Sequence, residues 1–382
     1  MRVALLSWDS LNPIMMGDAK LHITQFAEAL HRLGNEVHVF ARVLCEQNRH
    51  EEINGVMYHR CFSDFNSDFI SEIDTMCNSF SNSFSEVEKT YGEFDVVHGH
   101  DWVIVNALSQ IKAKSKAKII FTVHSTEFGR CGNNFYKGMP RVIRDLEWCG
   151  VRISDKIIVV SQHLKDEVEW LYNVPDWKIS VIYDGANIKR FYKKMDPEKI
   201  KEKYEIEPSD SIFLFVGGMG EEKECKILSK AIQSVIKDFP DTKFIFVGNG
   251  CITNYLKREL WELGISDACR FLGYIPDEDL IDLYKASDVV CLPSRNEPYG
   301  IVVLQEWNSE KPIVMSYNGF DYAEHETDGL KAYDNPDSLA QGIKKILSDS
   351  KAAKKIGEGG KTIEIDISWD GIADKMLEVY FS

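Results

Sequence analysis

The residues best suited to chemistry lie together between Ser294 and Gln305: a carboxylate at Glu297, then Pro298, Tyr299 and Gly300, then the apolar run Ile301-Val302-Val303-Leu304. The stretch follows residues 288–293, which read as a strand, and it opens a helix. Pro298 presets the first helical turn, Gly300 lets a ligand approach the backbone, and the free N–H groups of Gly300, Ile301 and Val302 form an anion site. Glu297 can accept from two adjacent hydroxyls without a metal. A hydroxyl acceptor beside an anion site suits a sugar joined to phosphate, as in a nucleotide sugar. The competing reading of Glu297 is a charge that merely complements the helix dipole.

Other polar groups follow strands in the same way. His124 ends an apolar strand, and Ser125-Thr126-Glu127 after it mark a loop at the strand end; the alternative is a structural histidine. Arg130 offers a cation in that loop and Asp101 a carboxylate one strand earlier, each as a ligand contact or as half of a loop salt bridge. Gly17, after Met15-Met16, lies between the first strand and the first helix, where backbone can approach a ligand. His22, on that helix, reads as packed. The loop Gly217-Gly218-Met219-Gly220 leads to Lys223, which is either a phosphate ligand or an exposed lysine. Gly248-Asn249-Gly250 and Gly273-Tyr274-Ile275-Pro276 follow two further strands, as binding loops or as ordinary turns.

Strands positioning such loops are expected at 2–7, 36–40, 95–98, 118–123 and 156–161, and again at 212–216, 243–247, 269–272, 288–292 and 312–316. Helical stretches alternate with them, so two α/β, Rossmann-like, doubly wound domains are predicted, with ligands at the carboxyl ends of the strands. The boundaries are 1–185, 186–365 and a terminal helix at 366–382 that can pack back on the N-terminal domain. The turn cluster at 184–187 is the hinge. Residues 62–90, rich in Ser, Asn, Phe and acids, read as a variable excursion.

The 382 residues carry a formal charge of −15, with acid in excess in both halves, which argues against nucleic acid and against a strong hold on anionic membrane. The basic run Lys112-Ala-Lys114-Ser-Lys116-Ala-Lys118 is a solvated turn or a weak peripheral membrane contact. No apolar run is long enough for a membrane span and the start is too strand-like for a signal peptide, so a cytoplasmic chain is expected. Nine cysteines without a C-x-x-C pair argue against disulfides and structural zinc.

Four blocks together resemble the family 4 retaining glycosyltransferases of GT-B fold: Asp95 to Trp102, Phe121 to Arg130, Arg270 to Pro276, and Ser294 to Gln305. The resemblance implies two Rossmann-like domains facing across a cleft, a nucleotide diphosphate sugar (UDP-, GDP- or ADP-linked) as donor, a carbohydrate or small-molecule acceptor, and no metal or other cofactor. It implies that Glu297 holds donor-sugar hydroxyls, that His124 stabilises an oxocarbenium-like centre, and that Lys223 neutralises the leaving diphosphate. It also places the nucleobase at Tyr274 and Ile275, and Gly17 near the diphosphate.

Two positions depart from the family pattern. Gln305 stands where a second glutamate usually binds ribose, and Gly218 stands where an arginine usually meets the diphosphate. Glutamine keeps an acceptor but loses charge. The glycine loop can instead offer its own N–H groups. Glu306, one helical position on, should face solvent and not replace the lost carboxylate. These departures keep open a non-catalytic binding or regulatory protein, and an epimerase on the same fold is a further alternative.

Overall fold

A computed structural model describes residues 1–8, 18–43, 49–63, 68–131, 134–185, 196–220, 225–294, 301–317, 323–360 and 368–382. The chain divides into two units, residues 1–185 with 366–382, and residues 186–365.

In the first unit the apolar runs become β1 (Arg2–Ser7), β2 (Glu36–Val43), β3 (Arg49–Ile53), β4 (Val56–Phe62), β5 (Val96–His100), β6 (Lys118–Val123), β7 (Lys156–Val159) and β8 (Ile179–Val181). Between them run α1 (Asp18–Arg32), α2 (Phe69–Tyr91), α3 (Val105–Lys112), α4 (Glu127–Cys131), α5 (Gly138–Ile153) and α6 (Gln162–Tyr172). The strands form one sheet in the order β3-β4-β2-β1-β5-β6-β7-β8, parallel except for the β3–β4 pair. Strand order reverses direction between β1 and β5, the place where such sheets open a crevice beyond their carboxyl ends.

Strands β4 and β8 were not expected, and two further features depart from the sequence reading. The supposed excursion contains α2, capped by the Asp68 carboxylate accepting from the Ser71 N–H. Its Ser and Asn content hides an apolar face, with Ile73, Met76, Cys77, Phe80, Phe84 and Val87 all buried. The antiparallel edge formed by β3 was also not anticipated.

The second unit contains α7 (Pro197–Lys203), β9 (Ser211–Val216), α8 (Cys225–Asp238), β10 (Thr242–Val247), α9 (Thr253–Glu262), β11 (Cys269–Gly273), α10 (Asp277–Ala286), β12 (Val289–Leu292), α11 (Ile301–Ser309), β13 (Ile313–Ser316), β14 (Leu330–Ala332), α12 (Pro336–Ser348) and α13 (Ser350–Gly360). Its parallel sheet runs β11-β10-β9-β12-β13-β14 and reverses between β9 and β12. Phe213, Phe215, Phe244 and Phe246 alternate with Ile212, Leu214, Ile245 and Val247, so each strand is apolar on both faces, as a sheet covered by helices requires.

The last helix, α14 (Trp369–Phe381), belongs to the first unit, where Trp369, Ile372, Ala373, Met376 and Tyr380 join the core built by α1 and β1.

Candidate functional site

At the switch point of the first sheet, β5 ends in His100 and β6 is followed by His124, while α1 brings His22 beside them. His98 and His100, two apart on one strand, share a face and stack at 4.3 Å. The ring of His100 lies 5.4 Å from that of His124, and His100 Nδ1 is 3.2 Å from His124 Nε2. Asp101 has a left-handed φ of 65°, uncommon outside glycine. In that conformation its Oδ1 lies 3.4 Å from the His124 backbone N–H.

Asp184, in the turn after β8, completes the cluster. Its two oxygens lie 3.2 Å from His22 Nδ1 and 3.6 Å from His124 Nδ1. Only 17% of the Asp184 side chain and 25% of that of His124 reach solvent, so the charges interact in a weakly screened setting. Burial opposes charge on His124, yet the Asp184 carboxylate and, beyond it, Asp101 outweigh it and raise the pKa to about 9. For His22 burial wins over Asp184, and the pKa falls to about 4. Burial and the neighbouring imidazoles carry His98 and His100 well below the ordinary range. Asp184, which burial would raise, is held low by His22 and His124. At neutral pH the cluster therefore holds one imidazolium, at His124, opposite one carboxylate.

In its protonated form His124 donates hydrogen bonds and accepts none, so a hydroxyl or phosphate oxygen is a suitable partner.

The imidazole nitrogens of His22, His100 and His124 lie within 4.8 Å of one another, the one described group whose spacing suits a metal ion. Of these, His100 Nδ1 and His124 Nε2 are paired, while both ring nitrogens of His22 and Nε2 of His100 are buried without a hydrogen-bond partner among the described residues.

Behind it, His98 is paired on both ring nitrogens. His98 bonds Thr122 Oγ1 and the Tyr380 hydroxyl, each at 2.6 Å. Trp369 lies 5.0 Å from the His22 ring and against Gly185, where a Cβ would stand 2.5 Å from the indole.

Arg130 is engaged on two sides. Its guanidinium donates to Glu127 at 2.8 Å and to Glu147 at 2.7 Å, and also to Ser125 Oγ at 2.6 Å. Two carboxylates offset its charge, which fits the salt-bridge alternative and leaves a third of the side chain open to a ligand.

In the second unit, the ends of β9, β10 and β11 are tied backbone to backbone. The Gly217 N–H donates to Val247 O at 3.0 Å, Met219 N–H to Asn249 O at 3.1 Å, and Gly248 N–H to Gly273 O at 2.8 Å. Gly248 has φ 113°, and a Cβ there would meet Gly217 O at 2.1 Å, so this close approach requires glycine. Gly218 is exposed, with nothing within 4 Å of where a Cβ would stand. Asn249 and Tyr274 are exposed beside it, whereas Ile275 packs against the core.

Gly17, Lys223, Glu297, Tyr299 and Gly300 lie outside the described residues. Ile301, Val302 and Gln305 lie in α11, which begins at Ile301.

One expectation fails. Glu306 does not face solvent but is fully buried, and among the described residues neither carboxylate oxygen has a hydrogen-bond partner. Burial alone pushes its pKa well above the usual range. The helix turn that moves Glu306 away from Gln305 carries it onto a covered face, because Val303 and Trp307 are buried too.

Reading by sequence missed Asp184, His98 and His100 and treated His22 as mere packing. The signals were the histidines two apart on a strand and an acid placed directly after β8.

The sequence model described as Glycosyltransferase Family 4 matches residues 19–190, and that of Glycosyl transferases group 1 matches residues 196–363. An uncharacterised glycosyltransferase of Methanocaldococcus jannaschii is 31% identical, covering 100% of this chain and 98% of its own. Among solved structures, sucrose-phosphate synthase of Thermosynechococcus elongatus has a TM-score of 0.86 at 21% identity, covering 100% of this chain and 98% of its own. Anabaena HepE, solved with UDP and glucose, has a TM-score of 0.78 at 17% identity, covering 100% and 99%. With both halves matched in order and a relative aligned end to end, the chain belongs to the family 4 glycosyltransferases of GT-B fold.

Proposed function

We propose that this chain is a retaining hexosyltransferase that takes its sugar from a nucleotide diphosphate, without a metal, and passes it to a carbohydrate or small-molecule acceptor. The observation that carries the reading is the placement of Asp184 3.6 Å from Nδ1 of His124, beyond the carboxyl end of β6, which favours the protonated imidazole. A buried donor of this kind stabilises negative charge as it develops on oxygen. To reach a ligand, His124 Nε2–H exchanges its bond to His100 for one to a sugar hydroxyl or a departing phosphate oxygen. Glu297 holds sugar hydroxyls, Lys223 and the N–H groups of Gly300, Ile301 and Val302 hold the diphosphate, Gln305 accepts from ribose, and the loop at Tyr274 and Ile275 takes the base. The acceptor oxygen attacks the face from which the diphosphate leaves, and a leaving phosphate oxygen takes its proton, so no protein nucleophile is needed. The bound UDP and glucose of HepE support a nucleotide sugar as donor.

A second reading, a non-catalytic glycan- or transferase-binding protein, rests on Gly218, where the open backbone carries no cation. Calorimetry with UDP, GDP, ADP and their glucose conjugates separates the two when combined with Glu297→Ala. The transferase reading expects one nucleotide to bind, its glucose conjugate to bind differently, and Glu297→Ala to remove that difference and all turnover while the fold stays intact. Unchanged turnover in Glu297→Ala would remove the sugar assignment, and tight binding without turnover would favour the second reading.

A further inference from the structure

Two of the imidazoles beside His124 carry ring nitrogens that their surroundings leave unsatisfied. His22 is 6% exposed and His100 4%, and neither nitrogen of His22, nor Nε2 of His100, has a hydrogen-bond partner among the described residues. Buried polar groups are paired as a rule, so unpaired ones gathered at one place ask for a partner. One nitrogen from each of His22, His100 and His124 lies within 4.8 Å of the other two. On a tetrahedral zinc ion, with bonds of about 2.0–2.1 Å, ligand nitrogens stand roughly 3.3 Å apart. His100 Nδ1 and His124 Nε2 are already at 3.2 Å, so turning the His22 ring toward them closes the set. The His124 side chain, 25% exposed, gives an ion its way in.

The surroundings suit a cation. Asp184 stands 3.2 Å from His22 Nδ1 and 3.6 Å from His124 Nδ1. A carboxylate at Nδ1 fixes the tautomer whose Nε2 lone pair is free, which is how metal-bound histidines are oriented. Its charge also offsets that of an ion. Imidazole sets take zinc and its first-row neighbours, whereas magnesium and calcium prefer oxygen. We propose that His22, His100 and His124 form a binding site for a divalent ion of the zinc type, supported by Asp184 and with a fourth position open to water. The ion is not part of the transfer reaction. It replaces the proton between His124 Nε2 and His100 Nδ1, which leaves to water, and so removes the donor assigned to His124; this inhibition rests on the transferase reading, and the binding does not.

The test uses the full chain, stripped with EDTA and then titrated with Zn²⁺ against a chromogenic chelator. One tight equivalent is expected, weakened about tenfold or more in His22→Gln and in His100→Gln and unchanged in His31→Gln, an exposed histidine on the same helix. Circular dichroism checks each variant. X-ray absorption at the zinc edge of the wild-type chain needs no variant and should show three imidazole nitrogens at about 2.0–2.1 Å. No tight zinc, sulfur or an all-oxygen shell around it, or equal affinity in folded His22→Gln and His100→Gln, overturns the proposal. Where a nucleotide sugar is turned over, one equivalent of zinc should slow it about a hundredfold, as loss of a fixed donor does, with EDTA restoring it and Mg²⁺ without effect. Undiminished turnover with zinc bound would place the ion away from His124 and overturn the proposal. Zinc on three imidazoles with no turnover of any donor upholds the site and removes the transferase reading instead.

Discussion

The His124 proton sets how the residue-scale chemistry responds to pH. Its pKa of about 9 lies above the ordinary 6.5, so the imidazolium persists through neutral pH. Its contribution to folding is complete below about 6.5 and is lost as pH rises through about 9. In Asp184→Asn the burial remains and the counter-charge is gone, so the His124 pKa is expected to fall below 6.5. A histidine NMR titration reads this directly, and the alkaline limb of kcat/KM should move down with it; an unmoved titration would show that another group supplies the charge. Glu306 responds to pH in the same direction, although it is its neutral form that the fold favours. Burial raises its folded pKa, so stability is full below the ordinary 4.5 and falls as pH rises toward the folded value. Glu306→Gln should unfold at higher urea than wild type at pH 8 and lose that advantage near the ordinary pKa; a constant difference across this range would contradict the assignment. Glu297 stands out in the sequence because Pro298 and Gly300 follow it at the start of a helix, and it lies outside the described residues. Asp184 does not stand out, because its partners come from α1 and β6, far away in the chain, and only folding brings them together.

At the scale of elements, α14 supports the cluster from behind. The Tyr380 hydroxyl bonds His98, and Trp369 leaves Gly185 no room for a side chain. Tyr380→Phe keeps the ring but leaves a buried imidazole nitrogen unpaired, at a cost of about 1–3 kcal/mol. Urea unfolding should show that loss, and wild-type stability would mean the hydroxyl is not a needed partner. Strand and loop placement was legible because fully apolar runs bounded by glycine have few alternatives in an α/β chain. The helix α2 was hidden because polar Ser and Asn occupy its outer face, and a composition reading averages over both faces. The edge strand β3, Arg49–Ile53, carries Arg49, Glu51 and Glu52 in five residues and lacks the apolar signature of the interior strands.

At the scale of the molecule, each unit reverses strand order once, and residues singled out from the sequence follow strands at or next to those points: Asp101 after β5 and His124 after β6 in the first unit, Gly218 after β9 and Glu297 after β12 in the second. The sheet ends therefore explain why short motifs far apart in sequence carried the reading. Gly218 tests whether the second unit lacks only a cation. Its Cβ position is open, so Gly218→Arg should fold normally and tighten nucleoside diphosphate binding about tenfold, the worth of one charge-assisted hydrogen bond. Weaker binding by calorimetry would mean that the glycine backbone itself meets the phosphates. The transferase reading as a whole is tested most directly by real-time proton NMR of the purified chain with UDP-, GDP- and ADP-α-glucose, following the first sugar released to water or acceptor. An α-configured first product is expected from at least one donor; a β-configured first product, or no turnover of any of the three, would contradict retaining transfer by this chain.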